Sequence, residues 1–147
     1  MNKLLLKFAT IATVGCLLSA IPMAAQVSPT TQKATHVRIT QGPELELVRE
    51  YLTIIRWTIN NPGGSPEHYG IVHYGTDPKT LSQTAKSPIR LNPDHPSTIF
   101  RVRLDDLKPG TTYYYTVGSM GAEGTDDGTK SAVKQFTTPG GQQRAGR

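Results

Sequence analysis

V-R-L-D-D-L-K-P-G-T-T-Y-Y-Y-T-V, from Val102 to Val117, is the stretch that decides how this chain folds. Leading into it, Phe100, Val102 and Leu104 alternate with Ile99, Arg101 and Arg103, the period of two expected of a strand with one face on a core. At its far end Tyr113, Tyr115 and Val117 alternate in the same way with Tyr114, Thr116 and Gly118. Between the two runs, Lys108-Pro109-Gly110-Thr111 has the signature of a type II turn. Proline pre-sets φ at the second position and glycine supplies positive φ at the third. Two strands are therefore predicted, joined by a loop pinned at Pro109 and Gly110, with Leu107 free to tuck beneath it.

Outward from this pair, the same alternation recurs. Tyr51–Ile59 reads as a strand with Thr53, Ile55 and Trp57 on one face, and Trp57, the single tryptophan, is assigned to the core. Tyr69–Gly75 reads as another, with Val72 and Tyr74 facing in and Ile71 and His73 facing out. Val37 and Ile39 suggest a first strand ended by Gln41-Gly42-Pro43, while Glu44–Glu50 does not separate a loop edge from a short helix. Weaker strands are expected at Gln83–Ala85 and Ile89–Leu91 on either side of Ser87-Pro88. Asn60–Pro66 is turn chemistry, Gly121–Lys130 reads as a long polar hairpin loop, and Ala132–Thr137 supplies the last strand with Val133 and Phe136. Seven or so short strands with regular turn signals predict an all-β, seven-stranded, immunoglobulin-like sandwich.

Strand, L-x-P-G-T-x-Y, strand resembles the boundary between the fifth and sixth strands of a fibronectin type III domain. That resemblance implies that Tyr113 turns its hydroxyl back to an upstream backbone group as a tyrosine corner. It also places Trp57 as the core tryptophan of the second strand. Tyr115 stands where an antibody-type domain would carry a disulfide cysteine. A longer match is formed by Val-His-Tyr-Gly-Thr-Asp-Pro-Lys-Thr-Leu, by Leu-Lys-Pro-Gly-Thr-Thr-Tyr-Tyr-Tyr-Thr-Val-Gly-Ser and by Gln-Phe-Thr-Thr-Pro. Over residues 35–139 this is similar to the N-terminal, fibronectin type III-like domain of purple acid phosphatases. In that family the chemistry belongs to a separate, larger domain, whose metal motifs are built around Gly-Asp, Gly-Asp-x-x-Tyr, Gly-Asn-His-Glu and Gly-His-x-His. None of these occurs in the 147 residues.

Ahead of the domain, Lys3 and Lys7 flank an apolar run from Phe8 to Ile21 followed by Pro-Met-Ala-Ala-Gln, the layout of a secretory signal peptide cleaved after Ala25. Residues 1–25 are thus assigned as signal, 26–34 as a polar leader, 35–139 as the domain and 140–147 as a disordered tail. The expected location is secreted or periplasmic. A membrane association would require a retained signal or lipidation at Cys16. Cleavage removes the only cysteine, so no disulfide supports the fold. Loss of Lys3 and Lys7 lowers the formal charge of +5 by two. No basic stripe with interleaved aromatics points to nucleic acid.

Catalytic patterns are missing as well. His36, His68, His73 and His95 are scattered without metal-ligand spacing and read as solvated surface residues. No Gly-x-Ser-x-Gly elbow is present. Glu123, Asp126 and Asp127 lack the carboxylate spacing of a calcium loop and read as a charged hairpin tip. The expected function is that of a non-catalytic, cofactor-free interaction module for an envelope or secreted protein or a polysaccharide. Contacts are expected from loops 60–68 and 119–131, or from a sheet face carrying Ile71, His73, Tyr114 and Thr116, with Tyr114 the strongest single candidate. Two further readings stand beside it: the accessory part of a split metallophosphatase, and a passive spacer.

Overall fold

The computed structural model describes residues 34, 36–92 and 94–141. The signal peptide, Cys16, the leader apart from Ala34 and the tail beyond residue 141 lie outside the described residues. The described residues form two antiparallel sheets. One has three strands in the order β1 (Ile39–Val48), β2 (Thr53–Asn60) and β5 (Ser97–Leu104). The other runs β4 (Gln83–Arg90), β3 (Glu67–Gly75), β6 (Thr112–Gly121), with β7 (Asp126–Lys130) and β8 (Lys134–Thr137) pairing successive parts of the free side of β6. β7 and β8 are thus two halves of one broken edge strand, which reconciles eight ladder segments with an expected seven.

Alternation along each strand sends Ile55, Trp57 and Ile59 from β2, Phe100, Val102 and Leu104 from β5, Val72 and Tyr74 from β3, and Tyr113, Tyr115 and Val117 from β6 into one core. Trp57 is fully buried and meets Phe100 with ring centroids 5.3 Å apart. Phe100 in turn lies against the backbone of β3, because Gly70 has no side chain; a Cβ there would sit 2.8 Å from the ring.

The turn at 108–111 has positive φ at Gly110, as its sequence requires, and Leu107 is buried beneath it. Its closure is indirect: the Thr138 hydroxyl donates to the Lys108 carbonyl at 2.5 Å and accepts from the Thr111 N–H at 2.9 Å. The end of the last strand therefore fastens the loop between β5 and β6.

Four local expectations are corrected. β1 does not stop at Gln41-Gly42-Pro43 but continues to Val48, so Glu44–Val48 is strand. As an edge strand with register shifts on both sides of Gly42-Pro43, it accommodates a proline that cannot donate. β4 runs unbroken through Ser87-Pro88 for the same edge-strand reason, with Pro88 opposite Tyr69. The polar loop after Gly121 is a short turn followed by β7, because Asp126–Lys130 finds the free side of β6. Val133 is 49% exposed, because residues 131–133 leave the ladder between β7 and β8.

Candidate functional site

The outer face of the five-stranded sheet is built by residues of the opposite parity to the core. The register between β3 and β6 pairs Tyr69 with Met120, Ile71 with Gly118, His73 with Thr116 and Gly75 with Tyr114. Ile71, His73, Thr116 and Tyr114 are thus cross-strand neighbours on one surface. They do not share one exposure. Ile71, His73 and Tyr114 are half-buried, whereas Thr116, expected outside, is 3% exposed, and its hydroxyl has no hydrogen-bond partner among the described residues.

Thr116 is covered because the broken edge comes across it. Gly118 pairs with Lys130 and Tyr115 with Lys134, so three residues, Ser131, Ala132 and Val133, span the two positions Thr116 and Val117. Such an excess residue at an edge acts as a bulge and re-aims side chains. Ser131 secures the crossing: its N–H donates to the Val117 carbonyl at 2.9 Å, and its hydroxyl accepts from the Val117 N–H at 3.0 Å. On the opposite side, the turn after β3 is closed by the Thr80 N–H on the Asp77 carbonyl and brings Pro78, Lys79 and Leu81 alongside.

Between these walls lies a groove of about 530 Å³. Thr116 and His73 form its floor, Lys79 and Lys130 flank it, and Pro78, Leu81, Ala132 and Val133 supply apolar walls. His73 is oriented by the contact of its Nδ1 with Thr84 Oγ1 at 3.0 Å. A smaller hollow continues over Ile71, His73 and Gly118, where a Cβ would approach the Thr129 carbonyl to 2.9 Å. Tyr114 does not line the groove; its ladder partners are Gly75 and Gln135.

Loops 60–68 and 119–131 do meet, at one end of the sandwich, around a polar cleft of about 420 Å³. Its base corrects two expectations. His68 is buried rather than solvated: it continues the inward parity of Val72 and Tyr74. Its Nδ1 lies 3.1 Å from Asp127 Oδ2, and its Nε2 lies 3.2 Å from the Gly63 carbonyl. Asp127 is correspondingly no mere solvated tip, since the same oxygen also accepts from Ser119 at 2.8 Å. This Ser119–Asp127–His68 group is no nucleophilic triad, because serine and histidine both contact the acid and do not contact each other. It closes the core and ties loop to hairpin. Among the described residues, no group of three or more histidine, cysteine or acidic side chains is placed to hold a metal.

Topology, the core tryptophan and the Tyr113 hydroxyl, which accepts from the Lys108 N–H at 2.9 Å as a tyrosine corner, together define a fibronectin type III-like sandwich. Its sequence matches the family described as the purple acid phosphatase N-terminal domain over residues 41–138, and the chain belongs to that family. Similar solved structures include the sensor domain of the anti-sigma factor RsgI4 of Pseudobacteroides cellulosolvens, at 16% identity and a TM-score of 0.51, covering 76% of this chain and 96% of that one. The human contactin 1 fn3 domain matches at 16% identity and a TM-score of 0.49, covering 88% and 98%. The fibronectin type III domain of human fibronectin type III domain containing protein 3 matches at 16% and 0.46, covering 78% and 94%. At such identities the likeness concerns fold alone. No curated protein matches the sequence.

Proposed function

We propose that this chain is an exported, non-catalytic interaction module whose contact surface is the groove on the outer face of the five-stranded sheet. The observation that carries the reading is the groove itself. A rigid two-strand floor is walled on one side by a bulged edge and on the other by a turn, within the volume range of ligand sites. The catalytic alternative has no comparable support, since the family match is to the domain that precedes the phosphatase chemistry. Export rests on the sequence of residues 1–25, and the partner is an envelope or secreted protein or a polysaccharide.

The test is capture from the source organism's envelope and culture fluid by the immobilised chain, in parallel with Val133→Ser, Tyr114→Ala and a control substitution on the other sheet, Arg103→Gln. Material retained by the wild type and the control but lost with Val133→Ser supports the groove. Equal retention by all four proteins, or none by the wild type, contradicts it.

The family match itself favours a second reading, in which the chain is the accessory part of a split metallophosphatase. This reading requires phosphomonoester hydrolysis only when a separate catalytic chain is added. Hydrolysis by the isolated chain with iron, zinc or manganese would overturn the non-enzymatic assignment.

A further inference from the structure

The groove has a composition that narrows its occupant. No aspartate or glutamate lines it, while Lys79 and Lys130 stand at its sides. Among the described residues neither lysine takes part in an ion pair; the four pairs formed use Arg56, His68, Arg101 and Arg103. On the outer face of the three-stranded sheet, by contrast, Arg56 meets Glu44 and Arg101 meets Glu46. The groove therefore sets two lysines that form no ion pair among the described residues beside a nonpolar wall, with Asp77 in the turn that carries Lys79 and Asp126 in the adjoining hollow that Lys130 shares.

Charge complementarity favours an anionic occupant, and the walls say which kind. Leu81, Ala132 and Val133 are aliphatic, and the lining has no tryptophan, tyrosine or phenylalanine on which a sugar could stack. Ala132 and Val133 lie outside the ladder between β7 and β8, at the point where the sheet edge is interrupted. An extended chain can lie along such an edge, with alternate side chains entering the available pockets.

We propose, building on the interaction-module reading above, that the groove receives an extended polypeptide segment presenting a carboxylate beside an aliphatic side chain. The carboxylate sits between Lys79 and Lys130, and the aliphatic group packs on Leu81 and Val133. Partner selection at this surface is thereby electrostatic in part and weakens with salt.

Amide chemical shifts of the isotopically labelled chain test this with three probes: a peptide of alternating valine and glutamate, the same peptide with glutamine, and an oligogalacturonate. The expected result is that the glutamate peptide shifts the amides of Thr116, Lys130 and Val133, that the glutamine peptide does not, and that Lys79→Gln with Lys130→Gln weakens binding by about fivefold or more. Unchanged spectra of the free double variant establish that it is folded. Equal shifts from both peptides overturn the carboxylate selection, and shifts from the oligogalacturonate alone overturn the polypeptide. If no probe shifts the groove, this proposal fails, whereas the interaction-module reading fails only if groove substitutions leave partner capture unchanged.

Discussion

The phenol of Tyr113 accepts a hydrogen bond at 2.9 Å from the backbone N–H of Lys108, five residues upstream, and so locks the loop that carries the chain from one sheet to the other. This is the tyrosine corner implied by Leu107-Lys108-Pro109-Gly110-Thr111-Thr112-Tyr113. Tyr113→Phe keeps the ring on Phe136, with centroids 5.6 Å apart, and removes only the acceptor. We expect a loss of about 1–2 kcal/mol in urea unfolding. Thr138→Val, which deprives both Lys108 and Thr111 of their shared partner, should cost at least as much.

Packing at the centre of the sandwich gives a second expectation. Trp57→Ala should cost about 3–5 kcal/mol, enough to unfold most of the protein at 37 °C if its total stability is ordinary. Gly70→Ala tests the same contact from the other sheet by pushing on the Phe100 ring, and a loss of about 1–3 kcal/mol is expected. Circular dichroism melting distinguishes the two.

The polar closure at the loop end predicts energetic coupling. His68 and Asp127 lie 59 residues apart in sequence, and their contact joins loop 60–68 to β7. A double-mutant cycle of His68→Gln and Asp127→Asn should return a coupling of about 1–3 kcal/mol. Additive losses would show that the two residues act separately.

Alkaline stability follows from buried phenols. Burial raises the Tyr115 hydroxyl above its ordinary value of 10.0, and burial, with smaller contributions from Tyr113, Asp106 and Asp105, raises Tyr74. The folded state thus holds these protons more tightly than the unfolded chain. The resulting stability is complete below about pH 10 and is lost as pH rises through the folded-state values. Unfolding free energies measured from about pH 8 to pH 11 should fall at the upper end, and Tyr115→Phe should flatten that fall.

Thr116 offers the opposite sign. Its hydroxyl is buried without a partner among the described residues, so Thr116→Val should leave stability unchanged or raise it by about 1 kcal/mol. A clear destabilisation would show that the hydroxyl is satisfied in solution.

Much of this architecture was legible because the core follows from parity alone: Trp57, Val72, Tyr74, Phe100 and Tyr115 each sit at every second position of a run. The turn at Pro109-Gly110 was legible because its residue types are demanded by backbone geometry. His68 was within reach of the same rule, two residues before Gly70 and four before Val72, but a histidine on the inward row is interpretable only once Asp127 is known to face it. The burial of Thr116 was out of reach. It depends on three residues crossing two at 131–133, a register mismatch that local sequence does not encode.

Hydrogen exchange of the chain with and without its captured partner tests the central claim most directly. The account predicts that new protection is confined to residues 73–81, 116–118 and 130–133. Protection on the outer face of the three-stranded sheet, around Arg56, Arg101 and Arg103, with the groove unchanged, would contradict it.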